Sequence, residues 1–75
     1  MAIVTKITRQ SLERESKHTV VDCTYDVIEV EGKRYLQLDT YGSAQREING
    51  KKSQSIRLSP EAIEQLKKIF MQNNL

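Results

Sequence analysis

Cysteine is nearly absent: Cys23 stands alone, so no intrachain disulfide can brace the fold. Histidine is as scarce. His18 sits in a charged stretch with no partner near it in sequence, which leaves neither a His/Cys metal cluster nor a recognisable general base. No apolar run approaches the ~20 residues of a membrane helix, and the N-terminus lacks the apolar core of a signal peptide. A soluble intracellular chain is therefore expected, of the cytoplasm or, as alternatives, the nucleoid or nucleus. Phosphate-cradling glycine motifs are missing too, since Gly50-Lys51-Lys52-Ser53 shares only the tail of the P-loop pattern. No internal repeat or low-complexity tract interrupts the sequence. Together these absences argue for a protein without catalysis, cofactor or metal.

What is present is one small globular domain spanning residues 1–75, with 37% hydrophobic and 29% charged residues. A domain of this length buries only about 60% of the surface its unfolded chain exposes, so its core is small. With no disulfide or metal to supplement that core, self-association into a homodimer or larger assembly is expected. The net charge of +2 is too small to argue for an anionic partner, but its distribution says more. Residues 19–31 carry four acids, Asp22, Asp26, Glu29 and Glu31, whereas residues 42–58 carry Arg46, Lys51, Lys52 and Arg57 against Glu47. Residues 1–18 are basic too, with Lys6, Arg9, Arg14 and Lys17 against Glu13 and Glu15, and an anion would be met there and at residues 42–58.

Four stretches read as strands and one as a helix. Residues 2–9 are rich in β-branched side chains, and Ile3, Thr5 and Ile7 alternate with Val4, Lys6 and Thr8. Residues 10–18 lose that alternation and read as a loop or a single helical turn. Across 19–30, Val21, Cys23, Tyr25 and Val27 share one face, and Asp22, Thr24 and Asp26 the other. The phase slips at Val27-Ile28, where a bulge is expected. Glu31-Gly32-Lys33 reads as a tight turn into an antiparallel partner over 34–41, with Leu36 and Leu38 inward and Tyr35, Gln37, Asp39 and Tyr41 outward. After a polar connection from Gly42 to Gly50, a fourth strand is expected at 52–58. Ser59-Pro60-Glu61 then combines a serine cap, proline at the first helical position and an acid in the positive first turn. The helix should run to about Met71, with Ile63, Leu66, Ile69 and Phe70 as an apolar stripe on the sheet and Glu64 paired to Lys68. The expected fold is thus α+β: a four-stranded antiparallel sheet with one C-terminal helix packed on it.

The residues that could carry chemistry are few. Cys23, between Val21 and Tyr25 on the apolar phase, reads as a buried structural thiol. Asp22, Asp26 and Asp39 could share a sheet face, but Asp22 and Asp26 lie roughly 13 Å apart along a strand, too far for one ion. Binders of single-stranded nucleic acid combine a basic groove with aromatic platforms for the bases. Tyr35 and Tyr41, with Arg34, Arg46, Lys51, Lys52 and Arg57 nearby in sequence, supply that inventory. The same tyrosines would also serve as packing in a subunit interface.

From Gly32 onward, Gly-Lys-Arg-Tyr-Leu-Gln-Leu-Asp-Thr-Tyr, a polar basic loop, Gly-Lys-Lys-Ser, Ser-Ile-Arg-Leu and Ser-Pro-Glu-Ala-Ile-Glu-Gln-Leu-Lys-Lys-Ile resemble the transcriptional positive cofactor four family over residues 32–70. The resemblance implies four antiparallel strands followed by one helix, a homodimer, and binding of single-stranded or unwound DNA on the sheet and its loops. By position it assigns Lys51 and Lys52 to the family's basic pair and Tyr41 to the aromatic closing the third strand. Asp39 stands where the family usually has arginine. The leading expectation is a non-enzymatic homodimer that binds single-stranded nucleic acid with little sequence preference. Lys51, Lys52, Arg57 and Arg46 would hold phosphates, and Tyr35 and Tyr41 would stack bases. The alternative is the same fold used as a homo-oligomeric protein-interaction or small-anion (nucleotide) binding module.

Overall fold

The computed structural model describes residues 1–12, 17–42 and 52–75. Its elements are β1 (Ala2–Val4), β2 (Cys23–Val30), β3 (Lys33–Tyr41), β4 (Lys52–Leu58) and α1 (Pro60–Gln72). The fold is α+β, one four-stranded sheet in the order β1-β4-β3-β2 with a C-terminal helix. No helix among the described residues is long and apolar enough to cross a membrane.

The β2–β3 hairpin follows directly from local sequence. Val30 pairs with Lys33 around a two-residue turn in which Glu31 (φ 51°) and Gly32 (φ 79°) both have positive φ. This is the turn whose twist matches that of the flanking strands, and glycine takes the second position without strain. Pairing then continues from Val30↔Lys33 to Cys23↔Thr40 without a break. The bulge expected at Val27-Ile28 is therefore absent. Ile28 and Val30 instead share the face of Thr24 and Asp26, and the irregularity falls between Thr40 and Tyr41, where β3 meets β4.

The sheet is mixed rather than antiparallel throughout. β1 runs parallel to β4, with Ala2, Ile3 and Val4 opposite Ile56, Arg57 and Leu58, while β4–β3 and β3–β2 are antiparallel. Because β1 and β2 occupy opposite edges and point the same way, the end of β1 and the start of β2 lie at opposite ends of the sheet, joined by a long connection. A parallel arrangement needs such a long connection, and the strand expected over residues 2–9 stops at Val4 as the chain turns out of the ladder. Beyond β1 the chain stays close to the helix, where Gln65 accepts a hydrogen bond from the Ile7 amide (2.8 Å) and donates one to the Thr5 carbonyl (3.3 Å).

The helix starts as the sequence indicates. Ser59 is extended (φ −71°, ψ 166°), and its Oγ accepts from the Ala62 amide at 3.2 Å, with Pro60 in the first turn. Glu61 adds a carboxylate to that turn. The hydroxyl of Ser59, the turn's own amide and Lys33 hold its pKa below the ordinary 4.5 against a smaller opposing effect of burial. On the outer surface Lys67, rather than Lys68, reaches Glu64, at 3.2 Å.

Burial concentrates where β4 passes into the helix, at Leu58, Ser59 and Ala62. α1 packs against β3 and β4. Its stripe is covered in part: Ile63, Leu66 and Ile69 are half-buried and Phe70 is exposed. Leu36 and Leu38, expected to point into a core, are half-buried as well, and Cys23 is exposed rather than buried. On the opposite face of β3, Gln37, Asp39 and Tyr41 are the buried side chains. The apolar and polar faces of the central strand have exchanged the roles that hydrophobicity assigns them.

Candidate nucleic-acid interface

Register places every second residue of β3 on one surface: Tyr35, Gln37, Asp39 and Tyr41. Asp39 lies opposite Ser55, and Gln37 opposite Arg57. Across these pairs a hydrogen-bonded ladder forms. Gln37 Oε1 accepts from Arg57 Nε (3.2 Å) and Nη2 (2.7 Å), and Gln37 Nε2 donates to the two Asp39 carboxylate oxygens at 3.2 and 3.4 Å. Lys52 Nζ closes the other end on Asp39 Oδ2 at 3.1 Å.

This ladder explains how polar groups can be so well buried on a central strand. Gln37 is 9% and Asp39 7% exposed, and burial of unpaired groups of this kind costs about 1–3 kcal/mol each. Here each is paired, and among the described residues no buried side-chain nitrogen or oxygen lacks a partner. The Ser55 hydroxyl is the largest influence on the Asp39 carboxyl, and with Lys52 and Gln37 it holds the pKa below the ordinary 3.8, against an opposing effect of burial. Asp39 therefore stays ionised and keeps Lys52 drawn onto the sheet.

The sequence-derived candidates are divided by this geometry. Lys52, Arg57, Tyr35 and Tyr41 meet on one face. Arg34 does not: it pairs with Glu29 on the opposite face, in phase with Leu36 and Leu38. Arg46 and Lys51 lie outside the described residues. Tyr41 is only 5% exposed and its hydroxyl is hydrogen-bonded with Thr24 Oγ1 at 3.1 Å, so its ring is a structural element with no open surface on which a base could stack. Tyr35 is half-buried and lies two residues along the same face from the Gln37–Arg57 pair.

Gln37 is the residue that sequence reasoning overlooked as part of the site. Its signal was its outward phase between Tyr35 and Asp39, but its partner depends on the β3–β4 register, which is set across the connection from Gly42 and carries a shift at Thr40/Tyr41. In electrostatic terms the face offers one guanidinium held by a neutral amide and one ammonium held by a carboxylate. Among the described residues the first is paired with no carboxylate, and the second is largely compensated. No protein-family model matches the chain, and no curated protein or solved structure matches it either.

Proposed function

We propose that this chain is a non-enzymatic, homodimeric protein that binds single-stranded nucleic acid with little sequence preference, through the sheet face that carries Arg57, Lys52 and Tyr35. The observation that carries this reading is the Gln37–Arg57 pair. Two hydrogen bonds donated by the guanidinium to the single Gln37 amide oxygen fix it over the sheet, and they use two of its five N–H donors. Among the described residues the other donors remain for phosphate oxygens, and a guanidinium oriented before binding loses little entropy on meeting one. Tyr35 alongside offers a ring to a base, worth about 1–3 kcal/mol of stacking. The resemblance of residues 32–70 to the positive cofactor four family supports the same ligand class, although that family's strands are all antiparallel and β1 here is not.

Charge on the face is modest. Asp39 neutralises Lys52, and Asp26 lies opposite Gln37 on β2, so binding should weaken towards physiological salt. A stacking ring selects unpaired bases, which a duplex hides. Fluorescence anisotropy with a labelled single-stranded oligonucleotide, using unlabelled duplex and a nucleoside monophosphate as competitors, tests this. Single strands should compete best. Equal competition by duplex would refute stacking on Tyr35, and equal competition by the mononucleotide would favour a small-anion site.

A further inference from the structure

The two edge strands of the sheet are β1 and β2. β1 offers a passing chain only three residues, Ala2–Val4, whereas β2 offers eight, Cys23–Val30. An edge strand is a row of unpaired amides and carbonyls on which another chain can add, and short length, proline, bulges and charge are the usual defences. β2 has neither proline nor bulge. It runs in unbroken register with β3, and Tyr25, Val27 and Val30 are exposed along it. By length and side chains it is a template for strand addition.

One hydrogen bond sets the direction of its backbone groups. The Tyr41 amide donates to the Asp22 carbonyl at 3.2 Å, so Asp22 faces β3. In an antiparallel pair, successive residues turn their N–H and C=O alternately to the partner and away from it. Thr24, Asp26, Ile28 and Val30 therefore bond to β3, and Tyr25, Val27 and Glu29 present their backbone groups to the open side. Val27 is the middle one of these three. Its amide is already engaged, donating to Asp26 Oδ1 at 2.8 Å. An aspartate bonded to a neighbouring backbone amide gives that amide an alternative to a ladder, and a strand laid along β2 would meet a carboxylate where it needs a donor. The surrounding charge acts in the same sense. Asp22, Asp26, Glu29 and Glu31 lie on or beside β2, and among the described residues none of them forms an ion pair. Two copies aligned along this edge would bring like charges together.

We propose that Asp26 guards the β2 edge: by occupying the Val27 amide with its carboxylate it keeps the sheet from growing by strand addition. Any assembly of this chain is then built without β2 as a shared edge. The guard acts in the plane of the sheet and not on the face that carries Arg57, so it stands whether or not nucleic acid binds there.

Amide hydrogen exchange of the full chain, read by NMR, tests the guard in the wild type. Among the three outward amides, Val27 should exchange severalfold more slowly than Tyr25 and Glu29. Exchange at one common rate in all three would overturn the proposal, whether that rate is fast, with Val27 unprotected, or slow, with another strand paired along the edge. Sedimentation velocity over a range of protein concentrations tests the consequence. Asp26→Ala should form species larger than those of the wild type, growing with concentration. Glu29→Gln removes one carboxylate from the same strand without freeing an amide and should keep the wild-type size distribution. A folded Asp26→Ala variant with the wild-type distribution would overturn the proposal, as would equal association by Glu29→Gln. If Asp26→Ala fails to fold, the exchange rates of the wild type decide.

Discussion

Arg57 and Lys52 carry equal formal charge on one face, yet the ladder gives them different weights in binding a polyanion. Each cation that neutralises a phosphate on a single strand contributes about 0.7 to the slope of log affinity against log salt. Arg57 is held by the neutral Gln37 amide, so Arg57→Ala should make the slope shallower by about 0.7. Over a fourfold change in salt that amounts to about 2.6-fold in affinity, within reach of anisotropy titrations repeated across a salt series. Lys52 is held by the Asp39 carboxylate at 3.1 Å, and a phosphate must compete with that partner. Lys52→Ala should therefore leave the slope nearly unchanged while lowering affinity at every salt concentration, because it exposes the carboxylate to the phosphates. Asp39→Asn is the converse perturbation. It keeps the shape of the ladder, removes the competing charge, and should steepen the slope by about 0.7 as Lys52 becomes available. If Lys52→Ala flattens the slope as much as Arg57→Ala does, and Asp39→Asn changes nothing, the ion pair does not control the charge of this face and the reasoning fails.

Other perturbations separate stacking from packing. Tyr35→Ala should weaken oligonucleotide binding by about 1–3 kcal/mol with no change in salt slope, whereas Tyr41→Phe should leave binding alone and cost roughly 1 kcal/mol of stability through the lost contact with Thr24. Chemical denaturation should show Leu58→Ala destabilising by about 2–5 kcal/mol and Leu66→Ala by less, because Leu58 is buried and Leu66 half-buried; the reverse order would mean the helix covers more of the core than the structure shows. The folded-state pKa values of Asp39 and Glu61 are both depressed, so the unfolded chain binds more protons and stability is lost as pH falls below their ordinary values of 3.8 and 4.5. Circular dichroism between pH 6 and pH 2 should show a less steep acid loss in the Asp39→Asn, Glu61→Gln double variant than in the wild type.

The readable parts of this fold were those decided within a few residues of chain. Glu31-Gly32 announced a positive-φ turn, and Ser59-Pro60-Glu61 announced a helix start whose cap is seen at Ser59 Oγ. β4 occupies the stretch its alternation marks. What could not be read depended on which distant strand lies alongside. β1 carries only three paired residues, and nothing in Ala2–Val4 says that its neighbour is β4 or that the two run parallel. The apolar phase slip at Val27-Ile28 looked like a bulge because apolar residues were assumed to share one face. Ile28 and Val30 keep the register and lie on the polar side instead. The same assumption put Tyr41 outward, where a ring would be open, and Leu38 inward. The polar side of β3 is the buried one instead, and there Gln37, Asp39 and Arg57 hydrogen-bond one another across β3 and β4. Of the candidate site, the cations and tyrosines were visible as residue types. The amide that holds Arg57 and the carboxylate that holds Lys52 became parts of a site only through register.

Affinity of the wild-type chain for a labelled single-stranded oligonucleotide, measured by titration at a low and at a near-physiological salt concentration, tests the proposed function most directly. Binding at low salt that weakens at the higher concentration, with a slope matching a small number of phosphate contacts, is the predicted result. No binding at either concentration, by protein whose fold is verified in the same sample, would contradict it and leave the ladder as a structural device of the sheet.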